Sequence, residues 1–433
     1  MAAYTKVAEK TLFNGDKVLE YKWDNGLRLL FVPRHQAKVL SYQIWFDVGS
    51  LDEKMDPKLQ KTGLAHLFEH MMFRGSEKFP DGKFDELTSR MGADRQNAST
   101  YFYRTNYFEN VPAAKLEAIM ELESDRMRNL KLTTDLLEKE KGAVVGELAR
   151  HKDNPPGMAF DEMLQLAYDV SPFRYTVLGT EAEIKGFSLD EAQYFYKTFY
   201  APNNATLIIV GDAAEKELLK LVDKYYGDMK PQKISKVTIP EEPEQKKEKR
   251  LEKTHPQATS EILLVGYKVP SIEHADNIPL NLLGTHLSSG MESRLHKILV
   301  DKGVAVRAFG TVTNRPDFFE FFVLLAEKQS AEKALKIIDG EITALQKKAI
   351  SKDSFERALN QELLSMYSSV TDNGSLANLM GEYLMLSGDY LKWDAIAQGY
   401  KKLTPADLQR VAKKYFVKKQ RSVVIIRPQG KGK

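Results

Sequence analysis

Thr62-Gly63-Leu64-Ala65-His66-Leu67-Phe68-Glu69-His70-Met71-Met72-Phe73 is the stretch on which the reading of this chain turns. From Gly63 onward the apolar residues Leu64, Leu67, Met71 and Met72 recur at helical spacing around a polar set, His66, Glu69 and His70. The spacing predicts a helix over 63–73. On that helix His66 and His70 stand one turn apart, with Glu69 on the same side. Two imidazoles so placed can share one zinc ion, and the carboxylate beside the second can reach the attacking water as a general base. This is the inverted order of H-E-x-x-H. By chance H-x-x-[D/E]-H arises in about two of a hundred chains of this composition, so the motif needs support from elsewhere.

A catalytic zinc commonly has three protein ligands and one open position. The segment Asp135–Lys152 is the best source of the third, since Asp135 with Glu138 resembles a capping pair opening a helix. Along it Glu140 and Glu147 lie seven residues apart, on nearly one face but about 10 Å from each other, too far for both to bind one metal. We assign Glu147 to the zinc and Glu140 to the shell behind it, where a carboxylate orients a histidine ring. Spacing alone does not decide between the two.

Outward from these motifs, composition narrows the chemistry. Among 433 residues there is no cysteine, which excludes thiol nucleophiles, disulfides, iron–sulfur clusters and thiolate zinc sites. The formal charge of +3 calls for no nucleic-acid partner, and the 42% hydrophobic content supports sizeable cores in two to three domains. No apolar run reaches the roughly 20 residues that span a bilayer. The start, Met-Ala-Ala-Tyr-Thr-Lys, lacks the basic flank and apolar core of a secretory signal. The compartment stays open: periplasm if a signal peptide has been removed, cytoplasm otherwise.

Leu19–Trp23 and Leu27–Val32 read as strands joined by an Asn-Gly turn, Ser41–Val48 as another, Ala98–Val111 as strand-like, 113–129 and 135–152 as helices, and Ala205–Val210 as a buried strand. A proline-broken, charged stretch around Pro240-Glu241-Glu242-Pro243 marks a linker. After it the order restarts, Ser260–Tyr267 answering Ser41–Val48 and the helix-prone Pro279–Ser288 following. The expected organisation is therefore α+β: an N-terminal catalytic domain over 1–229, a linker over 230–253 and a homologous non-catalytic domain over 254–433. The second copy keeps only His286, so the first alone can carry the metal. His35, His151, His255, His274 and His296 are scattered without ligand spacing, Tyr101-Phe102-Tyr103 reads as strand packing, and Arg427–Lys433 as a flexible end.

With Thr62–Ser76, Glu140 and Glu147, the chain resembles the pitrilysin or insulinase-like inverted zincin peptidases, the family that includes the mitochondrial processing peptidases. Further matching segments are Asp24-Asn25-Gly26-Leu27, Gly49–Glu53, Tyr200–Ala205 and Val210-Gly211-Asp212. The resemblance implies that His66, His70 and Glu147 bind one zinc, that Glu69 is the catalytic base and that Glu140 supports the site. It also implies two homologous domains, each a mostly antiparallel sheet flanked by helices, and pairing of two chains into a clamshell chamber for short or unfolded polypeptides. Gly92–Thr100 is similar to the family's substrate-binding edge strand, which makes Asn97 and Ala98 substrate contacts. Many members supply an arginine and a tyrosine from the second domain. Here Arg294 is present, but Val306 stands where the tyrosine is expected and offers no hydrogen bond. Either a homodimer works with a weakened clamp, or a homologous partner chain provides the pair in a heterodimer. A non-catalytic scaffold subunit and a peptide-binding module are the rival readings.

Overall fold

Ala205-Thr206-Leu207-Ile208-Ile209-Val210-Gly211 is apolar on both faces, as a strand in the middle of a covered sheet must be. In the computed structural model, which describes residues 4–235 and 237–429, every residue of that run is buried. Twelve strands are formed among the described residues: β1 Tyr4–Thr11, β2 Lys17–Trp23, β3 Arg28–Pro33, β4 Val39–Phe46, β5 Asp94–Thr100, β6 Thr105–Pro112, β7 Ala205–Gly211, β8 Lys249–His255, β9 Ile262–Lys268, β10 Ala305–Thr313, β11 Phe318–Leu325 and β12 Arg421–Pro428. The first sheet runs β1-β2-β3-β7-β4-β6-β5 and the second β10-β11-β9-β12-β8. Both are antiparallel except for one pair each, β3 with β7 and β8 with β12. Read as β5-β6-β4-β7-β3, the first sheet repeats the second strand for strand, with β4 answering β9. The internal repeat is thus visible as topology, and the chain is α+β with two sheets flanked by helices.

The helices that concern the site are α1 Ser50–Met55, α2 Leu64–Met71, α3 Lys83–Met91, α4 Leu116–Asn129, α5 Thr134–Lys152 and α6 Pro155–Ala167. No described helix is long and apolar enough to cross a membrane. The strand-like stretch over 98–111 covers the end of β5 and most of β6, with a turn between.

The two compact units interleave, so they differ from the sequential division 1–229, 230–253, 254–433. One holds the described residues up to Gly146, those of Thr176–Thr238, and Ser369–Asp394; the other holds Glu147–Tyr175, Ile239–Ser368 and the described residues from Ala395 onward. Packing explains the exchange. Within the first unit the helix Asn373–Ser387 lies on β4 and β7, close enough that a Cβ at Gly381 would stand 2.1 Å from the Trp45 ring. Within the second, α6 lies on β8, β9 and β12, and Phe160 stacks on Phe322 with ring centroids 5.7 Å apart.

The expected linker is also tied down. Lys249–Lys253 belongs to β8, and the Glu242 carboxylate accepts the main-chain N–H groups of Asp169, Val170 and Ser171 at 2.6, 3.1 and 2.9 Å. Of the end read as flexible, Arg427 and Pro428 complete β12, and Gly430–Lys433 lie outside the described residues.

Candidate metal centre and peptide edge

Helix α2 begins at Gly63, whose φ of 98° is open to glycine at little cost. A Cβ there would meet the Leu178 carbonyl oxygen at 2.7 Å, so the chain can pass beneath the 176–179 turn only without a side chain. Glycine offers no capping oxygen, and the first amides of α2 need another acceptor. Glu53 of α1 supplies it: fully buried, its carboxyl accepts Gly63 N–H at 2.6 Å and Ala65 N–H. Burial pushes the Glu53 carboxyl up to about 8, against the opposing pull of the Ala65, Gly63 and Leu64 amides. Leu64, Leu67, Phe68 and Met71 bury the other face of α2, with Phe68 against Phe195 and Tyr200. That anchoring fixes where His66, Glu69 and His70 can point.

The His66 and His70 rings lie 4.9 Å apart between centroids. Glu147 joins them from α5, one continuous helix that carries Glu140 two turns earlier. One ligand-type atom from each of His66, His70 and Glu147 lies within 4.8 Å of the others. Among the described residues this is the one such gathering. Two neutral imidazoles and one carboxylate are a donor set that suits zinc.

Behind this set Glu140 is fully buried. It pairs with Arg74 Nε at 2.6 Å and stands 3.6 Å from His70 Nδ1. Burial alone would raise its carboxyl, but the His70 and Arg74 contacts outweigh that and hold it below the ordinary carboxylate range. Glu69 accepts a hydrogen bond from Thr100 Oγ1 at 2.7 Å. A cavity of about 330 Å³ opens here, bounded by Glu69, His70, Arg74, Asp85, Gln96 and Asn97.

β5 is the outermost strand of its sheet. Tyr101 N–H donates to the Arg104 carbonyl at 2.8 Å, so by antiparallel alternation 99·106 and 97·108 are the hydrogen-bonded pairs. The main-chain groups of Ala98 and Thr100 therefore face the free edge. Asn97 lines the cavity, while the Ala98 side chain is buried and its N–H is held by Asn97 Oδ1 at 2.9 Å.

Arg294 and Val306 belong to the second unit. Arg294 pairs with Glu341, Nε to Oε1 at 2.9 Å. Val306 is 63% exposed at a bulge of β10. The residues that sequence reading left without roles are Glu53, Arg74 and Thr100. All three fall inside segments already singled out, yet nothing in their spacing announces what they touch.

Comparison with known proteins gives two adjoining family matches. Residues 29–181 match the family model described as insulinase (peptidase family M16), and residues 186–362 match the peptidase M16 inactive domain. The zinc protease PqqE of Helicobacter pylori is 28% identical over 411 residues, covering 93% of this chain and 91% of that protein. The crystal structure of a protease from Helicobacter pylori superimposes with a TM-score of 0.90 at 28% identity, over 95% of this chain and all of that one. The periplasmic protease PqqL of Escherichia coli shares the fold, with a TM-score of 0.77 at 18% identity over 98% of this chain and 48% of that chain.

Proposed function

The chain belongs to the insulinase family of zinc peptidases, family M16, and on that premise we propose that it is a zinc endopeptidase acting on short or unfolded polypeptides. The observation that carries this is the gathering of His66, His70 and Glu147 beside the Glu69 carboxylate and its cavity. His66, His70 and Glu147 would hold the metal, with Glu140 orienting His70. When bound, zinc supplies Lewis acidity toward the scissile carbonyl and a water molecule. Glu69 takes the proton of the attacking water and returns it to the leaving nitrogen. The free edge of β5, through the Ala98 carbonyl and the main-chain groups of Thr100, offers an extended peptide hydrogen bonds that bind many sequences with little preference.

The test is zinc content together with cleavage of a mixed peptide library by the purified chain, with Glu69→Gln as control. Near-stoichiometric zinc in both and cleavage only in the wild type is the expected result. Equal cleavage by the variant would reject Glu69 as the base.

A second reading concerns the partner. Val306, exposed on β10, offers no hydrogen bond to a substrate, and the chain spans about half of PqqL. Both observations favour a dimer in which a homologous chain completes the clamp of which Arg294 is one half. Full activity from the purified chain alone would sink an obligate heterodimer.

A further inference from the structure

We propose that Thr100 is a positioning residue that orients the Glu69 carboxylate from the edge where the peptide docks. The inference rests on the peptidase reading above and adds to it the residue that aims its base. A general base must lie within hydrogen-bond reach of the proton it takes, and a carboxylate at the end of a flexible glutamate side chain is not held there by its helix alone. Oγ1 of Thr100 donates to Glu69 Oε2 at 2.7 Å, the length of a charge-assisted bond. Threonine suits the task because its branched Cβ restricts χ1, so the donor is stiff once the backbone is fixed.

The backbone of Thr100 is fixed from several sides. It ends β5 opposite Thr105, whose hydroxyl donates to the Val48 carbonyl at 3.0 Å. The turn that follows is closed by Tyr101 N–H on the Arg104 carbonyl, and Arg104 reaches back to the Ser99 carbonyl at 3.1 Å and to Asn106 Oδ1 at 2.8 Å. Arg104 is itself held by Glu382 at 3.1 Å. Thr100 thus turns its main-chain groups to the free edge and its hydroxyl to Glu69. One residue links the peptide-pairing edge to the base, so a peptide that pairs along β5 meets a carboxylate already aimed. Misplacing a reacting group by about an ångström can cost on the order of a hundredfold in rate, and one lost hydrogen bond accounts for part of that.

The experiment compares wild type with Thr100→Val, which keeps the shape and loses the donor, and Thr100→Ser, which keeps the donor. It reads kcat, KM for a fluorogenic peptide, zinc stoichiometry, and crystal structures of the zinc-loaded proteins. The valine variant is expected to lose roughly tenfold in kcat with KM and zinc content unchanged, while serine restores most of the rate. Wild-type kcat in the valine variant overturns the proposal, as does a rise in KM alone, or equal damage by valine and serine. If the wild type cuts no peptide, the peptidase reading fails by itself and the crystal structures judge Thr100. A Glu69 carboxylate that swings away only in the valine variant supports the positioning role, and one that stays in place in both refutes it.

Discussion

Glu140→Gln separates what a carboxylate does behind a histidine from what it does for the fold. The substitution keeps the size of a fully buried side chain and removes its charge. Two partners feel the loss, Arg74 and His70. Arg74 is about one-third exposed, so water compensates much of its loss. A charge-assisted hydrogen bond in such a setting contributes about 1–2 kcal/mol after that discount. For His70, on the proposed role of Glu140, the loss falls on the ring's orientation toward the metal rather than on solvation. Removing a carboxylate of this kind commonly weakens metal binding by about 10–100-fold, or about 1.4–2.8 kcal/mol. The pH dependence gives an independent sign. Since the folded carboxyl titrates below its ordinary 4.5, its stabilisation is present above that value and is lost as pH falls through the folded pKa. Urea unfolding of the metal-free proteins should therefore show a constant gap between wild type and variant at pH 5–7 that closes on further acidification. Chelator competition measures the zinc affinity. A zinc Kd within twofold of wild type, or a stability gap indifferent to pH, would refute the reasoning.

Gly63→Ala should cost more than about 2 kcal/mol, since the new Cβ meets backbone atoms that cannot give way and φ lies in the left-handed region. Gly142→Ala in α5, where a Cβ meets nothing within 4 Å, should instead stabilise by up to about 1 kcal/mol. Thermal unfolding of the pair, with equal shifts, would contradict the account. Glu53→Gln tests the buried cap: a folded carboxyl raised to about 8 makes wild-type stability fully present below 4.5 and declining as pH rises toward 8. Urea unfolding at pH 5 and pH 9 should show the wild type losing ground to the variant at the higher pH, and the opposite slope counts against the cap's titration.

The sequence located α2 to within two residues, 63–73 against Leu64–Met71, because a 3.6-residue period with polar residues confined to one side admits little else. Other features were legible only in part. The turn between β5 and β6, Tyr101–Arg104, contains neither glycine nor proline and so has no place in the sequence reading; the Arg104 side chain holds it through Ser99 and Asn106, a device without a local signature. Glu140 and Glu147 share a helix face, so spacing left their roles interchangeable; burial beside Arg74 sets Glu140 apart from the half-buried Glu147. The interleaving of the units was illegible because periodicity says that α6 has an apolar face but not which sheet will cover it. Phe322 and Trp45, far along the chain from the helices they receive, decide that.

The second sheet shows why a repeated fold need not repeat its chemistry. Strand for strand it matches the first, and β10 holds the edge position of β5. Yet the helix Asn277–Ser288 brings only His286, which is buried and whose imidazole is pushed down to about 4, chiefly by burial. At ordinary pH that ring is neutral and serves packing. What the first sheet's surroundings add is local: a glycine entry at Gly63, a buried acid at Glu53 to take up the freed amides, and the continuous helix α5 carrying Glu140 and Glu147 two turns apart. A few residues laid over a shared frame, rather than the frame, separate a candidate metal centre from an ordinary core. The same logic applies to Val306. It stands exposed on the edge strand β10, and its side chain carries no hydrogen-bonding group.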